Sequence, residues 1–133
     1  MRRFHKSPEY RIIIPGKAKS FRSPKSGDYK TIIQQAAKRI FTRPIAGDTL
    51  EVRLDYFHLG RRRMDMDNIA KCVLDALDGI AYTDDRQARL QTATAYPLAS
   101  TITIEDCVVD LIKPLAQYEE YLFIRVREVR HGL

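Results

Sequence analysis

The clearest pattern in the chain is a strict alternation of apolar and polar residues over 49–59. On an extended chain the apolar side chains share one side and the charged ones the other: Leu50, Val52, Leu54 and Tyr56 against Glu51, Arg53 and Asp55. A period of two is typical of a strand that buries one face. The alternation therefore predicts a half-buried β-strand.

Three further stretches have the composition of strands. The β-branched run 11–15 ends at Pro15-Gly16, which breaks regular structure. The segment 91–96, QTATAY, is short and rich in strand-forming residues. The segment 121–129 again alternates, with Leu122, Ile124 and Val126 against Arg125 and Arg127. The sequence thus predicts four strands.

Two segments have helical spacing instead. The first, 29–41, has Asp28 as a candidate N-cap and carries apolar residues on one side: Ile32, Ile33, Ala36, Ala37, Ile40 and Phe41. The second, 68–78, turns Ile69, Val73, Ala76 and Leu77 to the core and is followed by Gly79, a common residue at helix ends. Strands and helices that alternate in this way predict an α/β layer structure.

Size and composition limit the class of protein. The 133 residues fit one domain, 1–133, with 44% apolar and 30% charged residues. No apolar run approaches the roughly 18 residues of a membrane helix, and the basic start of the chain lacks the apolar core of a secretory signal. The two cysteines, Cys72 and Cys107, form no disulfide framework. We therefore expect a cytoplasmic protein without membrane contact.

Charge is divided unevenly along the chain. Residues 1–63, including a basic tail over 1–10, hold 16 Lys and Arg against 5 Asp and Glu, whereas residues 64–133 hold 7 against 12. A basic half of this kind is typical of a surface that binds a polyanion. The candidate DNA phosphate contacts lie in a Gly/Ser loop and in the arginine run before the second helix: Lys17, Lys19, Arg22, Lys25, Arg61, Arg62 and Arg63.

The acidic residues concentrate in one short segment, 65–85. Asp65 and Asp67 are two positions apart, so both side chains point to one side if the backbone there is extended. Lys71 follows four residues after Asp67 and reaches the same place from the first helical turn. Asp84 and Asp85 arrive from a separate loop. We expect an acidic cluster with one lysine.

Such a cluster needs a counter-charge. At an effective dielectric of about 20, two carboxylates about 5 Å apart repel by about 3 kcal/mol. Mg²⁺ prefers carboxylate oxygens and leaves coordination positions to water and substrate phosphates. Beside a basic surface, this combination indicates phosphodiester hydrolysis.

A simpler interpretation gives these residues no catalytic role. Aspartates at a helix N-terminus cap it and suit its dipole. In this interpretation Asp67 or Asn68 is a cap, Lys71 pairs with Asp75, and Asp84-Asp85 is a solvated turn. Asp75 and Asp78 are given no catalytic role in either interpretation. Charge pattern alone leaves both interpretations open.

The acidic segment also resembles a known signature. The pattern D-x-D-N-x-x-K-x-x-x-D-A-L, then Gly, then D-D-x-Q, is similar to that of the RusA family of Holliday junction resolvases. It is formed here by Asp65, Asp67, Asn68, Lys71, Asp75, Ala76, Leu77, Gly79, Asp84, Asp85 and Gln87. A looser similarity covers most of the chain. So many fixed positions favour the metal-site interpretation.

The resemblance implies a Mg²⁺-dependent homodimeric endonuclease, with Mn²⁺ as a possible substitute, that cuts four-way DNA junctions. It implies Asp65, Asp67, Asp85 and Lys71 as catalytic residues and the three aspartates as metal ligands. Asp84 assists or shapes the turn. The implied fold class is α/β (α+β), with a single-layer mixed sheet of about four strands and two main helices packed on it. A bacterial or phage origin follows from the family.

Residues 101–120 are interpreted as an insertion before the last strand. Two other functions remain open. The first is a DNA-binding protein of the same fold without turnover. The second is a metal-dependent phosphodiesterase acting on other branched DNA.

Overall fold

The computed structural model describes residues 8–18, 26–58, 65–97 and 120–129. Four strands, two α-helices and one 3-10 turn follow in this order: β1 (Glu9–Pro15), α1 (Ser26–Ile40), β2 (Leu50–His58), α2 (Met66–Leu77), the 3-10 turn (Asp85–Gln87), β3 (Leu90–Pro97) and β4 (Tyr121–Glu128). The four predicted strands and both predicted helices are confirmed. Residues 101–119, most of the basic tail and most of the candidate DNA contacts lie outside the described residues.

The four strands form one mixed sheet in the order β1-β4-β2-β3. β4 runs antiparallel to both β1 and β2, whereas β2 and β3 are parallel. A parallel pair needs a long crossover connection, and α2 lies within the one that joins β2 to β3. The predicted fold class, α/β (α+β) with a mixed sheet and two helices, is confirmed.

Both helices contribute to one apolar core on the same face of the sheet. The face is formed by alternate strand residues, as the period of two requires. Its strand members are Ile12, Ile14, Leu50, Val52, Leu54, Tyr56, Leu122, Ile124 and Val126, and the helices add Tyr29, Ile33, Ala37, Ile69, Cys72, Val73, Ala76 and Leu77. The core side predicted for the second helix is therefore confirmed.

The first helix differs from its prediction in where it begins and in how wide its buried face is. It begins at Ser26, so Asp28 lies in its first turn and not at the cap. The buried stripe is narrower than predicted, because Ile32 and Ile40 are 48% and 41% exposed. Residues four apart form one stripe along a helix, and here Tyr29, Ile33 and Ala37 occupy it.

The polar side of β2 is not wholly solvated. Asp55 is only 5% exposed, and its Oδ2 lies 2.7 Å from Nη2 of Arg125, which is 8% exposed. The Arg125 guanidinium also lies over the Phe123 ring, 5.2 Å from its centroid. The alternation predicted burial of the apolar face alone, and the polar residues Asp55 and Arg125 are buried as well because neighbouring strands bring their opposite charges together.

Neither of the two α-helices in the described ranges is long and apolar enough to cross a membrane.

Candidate active site

Asp65 lies at the N-cap of α2. Its Oδ1 accepts the backbone N–H of Asn68 at 3.3 Å, and its Oδ2 accepts the Asn68 side-chain amide at 2.5 Å. A short acidic side chain suits this position, because the first turn of a helix has unpaired N–H groups. α2 begins at Met66, so the predicted extended backbone at 65–67 is wrong. The cap is Asp65, and neither Asp67 nor Asn68 takes that position.

Asp67 lies in the first turn of α2 and lines a groove between that helix and the β2–β3 pair. The groove has a volume of about 180 Å³, and its other walls are Val52, Leu54, Ala70, Leu74, Gln91, Thr92 and Ala93. The Asp67 side chain is exposed. A carboxylate at the mouth of a groove beside two polar strand residues can meet a bound substrate.

Lys71 lies one helical turn after Asp67 and is also exposed. The simpler interpretation paired it with Asp75, but Asp75 bonds to Lys30 of α1 instead. Within the described ranges Lys71 makes no ion pair. Its ammonium group therefore stays available to a ligand that approaches Asp67.

Asp84 caps the 3-10 turn and holds Arg86. Its Oδ1 accepts the Arg86 backbone N–H at 2.9 Å, and its Oδ2 accepts Nη2 of the same residue at 3.0 Å. The bonds from the Arg86 side chain and backbone lower the pKa of Asp84 to about 2. Asp84 thus shapes the turn, which is one of the two roles that the resemblance left open.

The neighbouring Asp85 has different surroundings. It is exposed and makes no ion pair within the described ranges. Partial desolvation, hydrogen bonding to Asp84 and the negative charges of Asp78 and Asp84 raise the pKa of Asp85 above its ordinary value. The acidic neighbour Asp78 caps the C-terminal end of α2. Asp85 therefore presents a carboxyl group whose proton is held more tightly than usual.

The structure does not gather the three proposed metal ligands. Asp65 and Asp67 lie at the start of α2, whereas Asp85 lies within electrostatic reach of Asp78 at its end. A rise of 1.5 Å per residue separates Asp67 from Asp78 by about 16 Å along the helix. Among the described residues no three carboxylate, imidazole or thiol groups could hold one metal ion. The donors suit Mg²⁺ chemically, but their arrangement is not a preassembled magnesium site.

Gln87 has a structural role that the sequence analysis did not predict. Gln87 received no role there, yet its side chain completes a capping box with Asp84. The spacing D-x-x-Q is the recognisable signal of such a box.

Of the basic residues proposed to contact DNA, Lys17 is described, and it is exposed directly after β1. The others, Lys19, Arg22, Lys25, Arg61, Arg62 and Arg63, lie outside the described residues.

The acidic segment lies within a match to a known protein family. The family model described as endodeoxyribonuclease RusA matches residues 3–105, which include the whole of 65–87. The match stops before β4, the strand that lies between β1 and β2 in the sheet. The comparison with curated proteins gives no match. Because the matched segment covers most of the chain, the protein belongs to the RusA family of endodeoxyribonucleases.

Proposed function

We propose that the protein is a structure-selective endonuclease that resolves four-way DNA junctions by paired phosphodiester hydrolysis during recombination and repair. The observation that carries the proposal is the family match across the entire acidic segment. The structure adds that Asp67, Lys71 and Asp85 are exposed and keep their side chains out of ion pairs within the described ranges.

The chemical roles follow from side-chain type and position. The Lys71 ammonium, one turn from Asp67, would pair with the scissile phosphate and offset the charge that develops on it. The Asp85 carboxylate would accept a proton from the attacking water, a role for which a raised pKa is favourable. Lys17, with the basic residues proposed alongside it, would contact phosphates and give affinity without base specificity.

Dependence on Mg²⁺, with Mn²⁺ as a substitute, is part of this proposal. The supporting facts are the family match and the carboxylate oxygens of Asp65, Asp67 and Asp85. Ligation by Asp65 would require its bonds to Asn68 to be exchanged. Because Asp67 and Asp85 lie near opposite ends of α2, joint ligation by both would also require them to be brought together when the ion and the DNA bind. The ion would supply Lewis-acid stabilisation of the phosphoryl oxygens.

A homodimer is proposed from the symmetry of the substrate. A four-way junction is close to two-fold symmetric, and paired nicks need two equivalent active sites. An isologous dimer supplies them. A cytoplasmic location in a bacterium or phage-infected cell agrees with such a substrate and is part of the same proposal.

The test is a cleavage assay on a labelled mobile four-way junction, a replication fork and a linear duplex of shared sequence. In Mg²⁺ we expect paired symmetric nicks in the junction, with no cleavage in EDTA. Asp67→Asn should abolish cutting, whereas the matched control Asp75→Asn, on the same helix but bonded to Lys30, should keep it.

Two outcomes would replace the proposal. Fork cleavage as fast as junction cleavage would indicate a phosphodiesterase for other branched DNA. Tight junction binding without nicks in Mg²⁺ or Mn²⁺ would indicate a DNA-binding protein that lacks turnover.

A further inference from the structure

The Gln87 side chain joins two separate segments of the chain. On one side its Oε1 accepts the Thr83 backbone N–H at 2.9 Å, the Thr83 hydroxyl at 2.7 Å and the Asp84 N–H at 3.0 Å. On the other side its Nε2 donates to the carbonyl oxygens of Ile45 at 2.9 Å and Gly47 at 2.7 Å. The Gln87 amide thus makes five hydrogen bonds, all of them to other residues.

The arrangement requires both halves of an amide. Nε2 uses both of its hydrogens on the two carbonyls, and Oε1 meets only donors. A carboxylate of the same shape would direct negative charge at the oxygens of Ile45 and Gly47, and an apolar side chain would form none of the five bonds. Only glutamine combines this length with both functions.

The segment on the far side has contacts of its own. The Ile45 N–H donates to Ala81 at 2.8 Å. At Gly47 even a Cβ atom would come within 2.5 Å of the Glu128 carboxylate, at the end of β4. The 45–47 segment is therefore tied to Ala81 and lies against the Glu128 side chain, and Gln87 joins it to the turn at 83–85.

We propose that Gln87 is a positioning residue of the active site. Its amide fixes the backbone at Thr83 and Asp84, so that Asp84 is held by Arg86 and Asp85 is left exposed towards the substrate. The inference rests on the proposed nuclease function. It explains how one of two adjacent, chemically identical carboxyl groups is reserved for the reaction.

The experiment compares wild type with Gln87→Leu and Gln87→Glu. A stability control comes from α1, where Ile33 is fully buried and belongs to a different element from the turn at 83–85. Ile33→Val or Ile33→Ala is used, whichever matches the melting temperature of the Gln87 variant. Measurements are the single-turnover rate of junction cleavage, the junction Kd, and amide hydrogen exchange at Thr83 and Asp84.

In both Gln87 variants we expect the cleavage rate to fall about 100-fold, as for a reacting group displaced by about 1 Å. The junction Kd should stay within twofold, and the Thr83 and Asp84 amides should lose protection. The Ile33 control should keep all three properties. A Gln87→Leu rate within threefold of wild type, or unchanged protection of the two amides, would overturn the inference. A wild type that cuts no junction would instead overturn the proposed function.

Discussion

Replacing Asp55 with asparagine should destabilise the fold far more than its small change in size suggests. Asp55 and Arg125 are 5% and 8% exposed, and their charged atoms are 2.7 Å apart. Asparagine keeps the shape but removes the negative charge, so the guanidinium stays buried without a counter-ion. Nε of Arg125 is already without a hydrogen-bond partner among the described residues, so the lost interaction has no obvious replacement there.

The expected cost is about 3–5 kcal/mol, the usual loss when one partner of a buried pair is removed. For a domain of this size about 1 kcal/mol corresponds to roughly 4 °C, so the melting temperature should fall by about 12–20 °C. Urea unfolding followed by circular dichroism gives the free energy of unfolding, and a thermal scan gives the melting temperature.

A matched control lies on the same two strands. Glu51 and Arg127 also pair across β2 and β4, at 2.8 Å, but Arg127 is 51% exposed. Water screens this pair, so Glu51→Gln should cost no more than about 1 kcal/mol. Equal losses for Asp55→Asn and Glu51→Gln would refute the claim that burial sets the cost.

Three other predictions concern the site. Lys71→Met should lower the cleavage rate by about 100-fold or more while junction affinity changes little. Cleavage by this variant at the wild-type rate would exclude a role for Lys71 at the phosphate. Carbon-detected NMR titration in EDTA should find Asp84 titrating near pH 2 and Asp85 above the ordinary aspartate value. By linkage, ionised Asp84 stabilises the folded state above about pH 3.9, and this stabilisation is lost as the pH falls towards 2. The raised pKa of Asp85 has the opposite effect, because ionisation of Asp85 as the pH rises disfavours the folded state. The logarithm of junction affinity should fall linearly with that of salt, and Lys17→Ala should reduce the slope by about 0.9; an unchanged slope would remove Lys17 from the DNA surface.

The local pattern of the chain was sufficient to predict the elements and the core side of α2. Period-two alternation identified β2, and helical spacing placed Ile69 and Val73 inside. These predictions succeeded because each depends on residues close in sequence. The burial of Asp55 could not be predicted in the same way, because it depends on the pairing of β2 with β4, which lies 70 residues away.

The candidate site shows the same limit. The motif identified the family, but the spacing of Asp65 and Asp67 could not reveal that Asp65 would cap α2. The Lys71–Asp75 pair was a reasonable expectation for one isolated helix, and the packing of α1 against α2 replaced it with Lys30–Asp75. Whether Asp65, Asp67 and Asp85 act together is still a prediction.

The most direct test of the proposed chemistry compares two adjacent residues. Wild type, Asp84→Asn and Asp85→Asn are assayed for single-turnover cleavage of a mobile four-way junction in Mg²⁺, with junction affinity measured in parallel. Asparagine can still cap the 3-10 turn, so Asp84→Asn should keep cutting the junction. Asp85→Asn should bind with unchanged affinity and cut nothing. Cleavage by Asp85→Asn at the wild-type rate would contradict the account.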